Sequence, residues 1–176
     1  MSATVDVALL ILRVVAGLTV AAHGAQKLFG WFDGPGRVNW EKGLEKQGLK
    51  PARFWAYLNI LGELGGGLSL AFGFLTPLGA AGVFGAMVMA IASAHWKNGF
   101  FNSKRGIEFP LALLTVATAI GIAGPGAISL DQLFGIHLPY PWLFVILAII
   151  AILVDLVGLA IKRANSAAAA ATHAPA

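Results

Sequence analysis

The 176-residue chain is 58% hydrophobic and only 11% charged, far above the roughly 45–50% apolar content of ordinary soluble domains, which excludes a soluble fold and marks an integral membrane protein. Its formal net charge of +4 does not point to nucleic acid, because the basic residues lie in short loops beside apolar runs, where they set membrane orientation. The absence of cysteine excludes disulfides, thiolate metal sites and cysteine-ligated iron–sulfur clusters, so any redox work needs a bound cofactor.

Residues 1–6 form a short N-terminal segment. Met1–Asp6 lacks a basic stretch and Arg13 interrupts the first apolar run, so the reading is a retained span and not a cleaved signal peptide. That span is Val7–Phe29. The next connection contains an amphipathic stretch at 38–50, in which Asn39 is placed to cap a helix over Trp40–Gln47 that ends before Gly48 and Pro51. Two readings stay open for it: a helix on the membrane surface or a solvated joint between spans. Phe54–Leu75 and Leu78–Trp96 follow, separated by a short link in which Pro77 predicts a tight reversal and an antiparallel hairpin. Phe109–Ile122 is the shortest span, and Trp142–Ile161 is a further one.

All of these runs read as helices, since an isolated strand leaves its backbone unsatisfied in lipid and no alternating barrel pattern recurs. The predicted fold is therefore all-α: a bundle of four core transmembrane helices over 7–134, an additional fifth helix at 141–161, and an Ala-rich disordered tail over 162–176. Gly17, Gly24, Gly62, Gly65, Gly66, Gly73, Gly79, Gly82 and Gly85 recur at spacings that bring helices close. Packing within the chain is favoured over dimerisation, although a homo-oligomer stays open.

Lys and Arg alternate between connections. Arg37, Lys42, Lys46, Lys50 and Arg53 occupy the first long loop, Lys97, Lys104 and Arg105 the third, and Lys162 and Arg163 the tail. The positive-inside rule then places the N-terminus outside and the C-terminus in the cytoplasm of a multi-pass protein of the cell (inner) membrane.

Against this apolar background a polar set stands out: His23, Gln26, Lys27, Glu63, His95, Asn98 and Glu108. Ionisable groups within spans are costly and read as functional by default. His23, Gln26 and Lys27 share one broad helix face through their three- and four-residue spacings. With 1.5 Å of rise per residue, His23 and Glu63 lie at similar depths in the cytoplasmic half, where His95 and Glu108 also fall. Each has a plainer reading: Lys27 as an interfacial anchor, Glu108 as a helix N-terminal charge, His95 as a headgroup neighbour, and Glu63 as a structural partner of Arg13 or His23. Asp155 reads as interfacial or structural.

The motifs Arg13-Val-Val-Ala-Gly17, His23-Gly-Ala-Gln-Lys27-Leu-Phe-Gly30, Glu63-Leu-Gly-Gly-Gly67, His95-Trp-Lys-Asn-Gly-Phe-Phe101, Gly106-Ile-Glu108-Phe-Pro110 and Gly124-Pro-Gly126 with Leu130-Asp131 occur in an order that resembles DoxX-type (DoxX/DoxD-like) membrane proteins. The resemblance covers about Leu9–Phe134, and the apolar fifth segment departs from the family's four-helix pattern. It implies a membrane subunit associated with a redox or respiratory complex. A family is a strong argument for a fold and a weak one for a reaction.

The leading expectation is a quinone-like headgroup held in the cytoplasmic half. His23 or His95 would donate hydrogen bonds, Glu63 and Glu108 would relay protons, Gln26 or Asn98 would orient the ring, and Lys27 would stabilise negative charge. Such a subunit would be part of a quinone-linked oxidoreductase. Competing expectations are a noncovalent haem b with His23 and His95 as axial ligands, a small transporter with Glu63 as coupling site, and a noncatalytic anchor for a soluble or membrane oxidoreductase partner. No metal ligand spacing stands out. The lipid bilayer is a partner in every case.

Overall fold

A computed structural model describes residues 2–172, and the regular elements in that range are all helical. Ser2 opens the first of them: its hydroxyl accepts from the Val5 N–H, capping α1 (Ala3–Phe29), which stops at Gly30 in the left-handed conformation with its N–H on the Gln26 carbonyl. A short helix, α2 (Gly36–Lys46), follows in the first basic connection. It begins earlier than its sequence suggests. Pro35 takes the cap position, and Asn39 lies inside the helix with Nδ2 donating 2.9 Å to the Pro35 carbonyl.

The third helix, α3 (residues 52–72), consists of α-helical Ala52–Ile60 and Gly66–Phe72 on either side of a π-helical turn, Leu61–Gly65. The fourth, α4 (Thr76–Asn98), has the same interruption: Thr76–Ala90 runs into a π turn at Ile91–His95 and a 3-10 turn at Trp96–Asn98. Their hairpin forms as expected, but the reversal lies ahead of Pro77. Gly73 and Leu75 turn the chain with φ of 61° and 49°, and Pro77 sits in the first turn of α4, where its missing N–H costs nothing. Completing the chain are α5 (Glu108–Ala123), the short α6 (Leu130–Leu133) and α7 (Trp142–Thr172).

Helix persists well beyond the point at which the sequence predicts a disordered tail. Alanine is the best helix former, and side chains of the last helix are tied down: Lys162 Nζ donates to the Ser93 carbonyl at 2.9 Å and to Gln47 Oε1 at 3.2 Å, and Asn165 Nδ2 donates to the Gly48 carbonyl at 2.7 Å. The rest of that tail, His173–Ala176, lies outside the described residues, as does Met1.

Glycines determine how closely the helices approach. A methyl group added at Gly17 would stand 2.6 Å from the Gly67 carbonyl oxygen, and one at Gly67 would stand 2.6 Å from the Gly17 oxygen, so α1 and α3 touch backbone to backbone. Gly24 meets Leu64 in the same way. Gly62 and Gly66, the GxxxG pair, face Gly82 and Gly79 of α4. That motif is used inside the chain. Around these contacts Val20, Leu70, Val83, Met87, Leu113, Ile120 and Phe144 form the core, while Ile146, Ile149, Leu153 and Val157 of α7 stay exposed. Three helices, Ala3–Phe29, Thr76–Asn98 and Trp142–Ala169, are long and apolar enough to cross a bilayer. The chain is a multi-pass helical membrane bundle whose exposed apolar side chains meet lipid.

The two ends of the bundle differ. At one, Asp131 is buried and accepts from Leu75 N (2.7 Å), Thr76 N (3.0 Å) and Thr76 Oγ1 (2.7 Å), locking α6 to the hairpin turn. Arg13 serves this same end: its guanidinium donates 2.9 Å to the Ala71 carbonyl and lies against Gly73. Arg13 is therefore not the partner of Glu63. At the other end lie α2 and the connection to α3, the start of α3, the end of α4 and the loop to α5, and the bonded turns of α7, which together carry the Lys and Arg residues of the basic connections.

Candidate functional site

Near this basic end the helices part around a cavity of about 1080 Å³, lined mostly by apolar side chains of α2, α3, α4, α5 and α7 and by His23 and Lys27 of α1. It extends from Ser69 and Leu78, near the hairpin turn, to His95 and Asn102 at the basic end. An elongated apolar space with a few convergent polar groups is the usual form of a small-molecule site.

Lys27 and Glu63 are the centre of its polar end. Lys27 Nζ lies 2.5 Å from Glu63 Oε1 and donates 2.9 Å to Asn59 Oδ1, while Asn59 Nδ2 reaches the same Glu63 oxygen at 3.5 Å. The ammonium also stands 4.4 Å from the centroid of the Trp40 ring, so α2 covers it with an aromatic face. The Glu63 side chain is only 4% exposed and that of Lys27 17%. Glu63 Oε2 is buried with no hydrogen-bond partner. A charge this deep survives only when paired, and its remaining lone pairs still seek donors.

Backbone geometry explains how Glu63 gets there. It sits in the π turn of α3, and His95 closes the π turn of α4. Such wide turns shift the side chains that follow them around the helix and gather at functional sites. Asn59 and Glu63, four apart, emerge on one face of α3 toward Lys27.

The sequence-derived set divides in two. His23, Lys27, Glu63 and His95 all line the cavity. The His23 ring packs edge-on to Phe109 with centroids 5.7 Å apart, and His95 Nδ1 is 2.7 Å from the Arg105 carbonyl, which fixes the ring while it faces the cavity. Gln26, Asn98 and Glu108 are not among the lining residues. Gln26 Nε2 donates 3.1 Å to the Phe32 carbonyl, and Asn98 Nδ2 donates to the Ala94 and Arg105 carbonyls at 3.2 and 3.1 Å. Glu108 Oε2 accepts from Asn102 N at 2.8 Å. These three order the backbone of the connections around the site.

Several lining residues escaped the sequence reading. Asn59 was hidden in a run of aromatic and aliphatic residues, and its spacing of four from Glu63 was the available signal. Trp40 reads only as part of the amphipathic stretch and Trp55 does not stand out; both indole N–H groups are buried without an acceptor. Asp155 of α7, read as interfacial or structural, is buried in the cavity wall with Oδ2 unpartnered. Among the described residues no three His, Asp or Glu side chains converge as a metal site.

Fold and site together define a multi-pass helical membrane protein with an ion pair buried at the polar end of an apolar cavity. The chain belongs to the DoxX family, whose model matches residues 8–96. That stretch holds His23, Lys27, Trp40, Asn59, Glu63 and His95, whereas Asp155 and α7 lie beyond it. No curated protein and no solved structure gives a match.

Proposed function

We propose that this protein is a redox-associated membrane subunit that binds a quinone-like headgroup at the Lys27–Glu63 end of the cavity, with the basic end of the bundle in the cytoplasm of a cell (inner) membrane. The observation that carries the reading is Glu63: a carboxylate almost wholly buried, paired through one oxygen and free at the other, at the head of a long apolar space. A quinone has this division, a polar ring on an apolar tail.

In this reading Lys27 and the cavity-lining nitrogens of His23 and His95 supply hydrogen bonds to the ring oxygens, and Glu63 carries the proton that accompanies reduction. Two electrons from a partner oxidoreductase and two protons turn quinone into quinol, so the subunit's own task is to bind, orient and protonate. Asn59 and Trp40 keep the ammonium of Lys27 in place.

The test is a titration of a decyl-substituted benzoquinone against purified wild type, Glu63→Gln and His23→Ala. Saturable binding that weakens at least tenfold in Glu63→Gln, a loss of about 1.4 kcal/mol, is expected. Binding unchanged in both variants sinks the site, and no binding to wild type sinks the quinone reading.

A further inference from the structure

The cavity holds a second group of unsatisfied polar atoms, away from the Lys27–Glu63 pair. Asp155 is 8% exposed, its Oδ2 has no hydrogen-bond partner, and it lines the cavity from α7. Trp55 of α3 lines the same cavity, is 6% exposed, and has an indole N–H that also lacks an acceptor. Helix α7 packs on Trp55 one helical turn beyond Asp155: a methyl group added at Gly158 would stand 2.9 Å from Cη2 of the Trp55 ring. Val154 packs in the same cluster as Trp55 and Trp40.

A buried carboxyl group and a buried indole each cost free energy when left unpaired, and neither finds a partner in the protein. One is an acceptor, the other only a donor. A ligand that completes both offers an O–H to the carboxylate and an oxygen lone pair to the indole. An anionic head suits the place poorly, because two carboxyl side chains, Glu63 and Asp155, line the cavity and Lys27, the one lysine lining it among the described residues, is already paired with Glu63.

We propose that Asp155 and Trp55 form a second polar station that distinguishes the redox state of the bound ring. The Asp155 carboxylate accepts from a quinol hydroxyl, and the Trp55 indole N–H donates to a quinone carbonyl. Lys27 and Glu63 hold one side of the ring in both states, and this station reads the other. The inference rests on the quinone reading above, and it gives α7, beyond the matched family region, a role in the site.

The experiment measures binding of a decyl-substituted benzoquinone and of its dithionite-reduced quinol to wild type, Asp155→Leu and Trp55→Phe, with the melting temperature of each protein recorded. Asp155→Leu is expected to lose about tenfold in quinol affinity and to keep quinone affinity within twofold. Trp55→Phe, which keeps the ring and loses the N–H, is expected to show the reverse preference. A purely structural role for either residue would weaken both forms alike. Equal losses, or no loss in either variant while wild type binds, overturn the station alone; wild type binding neither form overturns it together with the quinone reading. Should Asp155→Leu fail to fold, Trp55→Phe decides the matter by itself.

Discussion

Lys27 of α1 and Glu63 of α3 meet at 2.5 Å inside an apolar bundle, and neither has another charged partner among the described residues. The pair joins two helices that are already pressed together by Gly24 against Leu64 one turn away. Removing one partner strands the other. Lys27→Met is therefore expected to destabilise the protein by about 3 kcal/mol, with Glu63→Leu similar and the double substitution recovering most of the loss. Denaturant unfolding in mild detergent, arranged as a double-mutant cycle, measures the coupling. Additive losses would show that the two charges do not depend on each other.

The glycine contacts make a sharper steric prediction. Gly24→Ala places a methyl group inside van der Waals distance of the Leu64 backbone, and no rotamer can relieve it, so α1 must move from α3 at a cost of about 1–3 kcal/mol. Gly43, in α2, has nothing within 4 Å of an added methyl group. Gly43→Ala should be neutral or stabilise by up to about 1 kcal/mol through helix propensity. Thermal unfolding of the two variants side by side checks both signs.

At the far end, Asp131 is the acceptor on which the hairpin turn is fastened, through two backbone N–H groups and the Thr76 hydroxyl. Asp131→Asn replaces an acceptor with a donor against those groups and is expected to cost about 2–3 kcal/mol. The Tyr140 hydroxyl lies 3.3 Å from the same carboxylate, and burial, reinforced by the Asp131 charge, raises its pKa above the ordinary tyrosine value. The folded protein thus favours the neutral phenol. That contribution is complete below about pH 10, where an unfolded tyrosine titrates, and is lost as pH rises through the folded value. Stability followed from pH 8 upward should fall in wild type beyond pH 10, and Tyr140→Phe should lack that part of the fall.

Much of this was legible because lipid imposes a simple rule. Each long apolar run became a helix, and His23, Lys27, Glu63 and His95 could be singled out because polar groups are rare in such runs. What escaped was the direction in which side chains point. The π turns at Leu61–Gly65 and Ile91–His95 leave no periodic mark in sequences already rich in glycine and alanine, yet they rotate Glu63 and His95 relative to their neighbours. Gln26 and Glu108 were grouped with the site by spacing and depth, whereas local backbone acceptors and donors captured them first. Asp155 reads as interfacial or structural because nothing local reveals that α7 packs against α4 with that residue lining the cavity. Membership of one cavity is a property of tertiary packing, and the period of a single helix does not carry it.

Orientation is open to direct measurement, because the chain has no cysteine and any single cysteine introduced is the only thiol. Ser103, in the basic connection between α4 and α5, and Gln132, in α6 at the opposite end, are both exposed. Neither side chain makes a bond on which the fold rests. If the basic residues hold their end in the cytoplasm, Gln132→Cys in intact cells or spheroplasts reacts with a membrane-impermeant maleimide, and Ser103→Cys reacts only after lysis. The reverse pattern would invert the bundle and place the Lys27–Glu63 end of the cavity toward the outside. Labelling of both positions without lysis would mean a mixed topology. In either event the proton proposed for Glu63 would no longer be drawn from the cytoplasm alone, so this labelling decides which compartment faces the site.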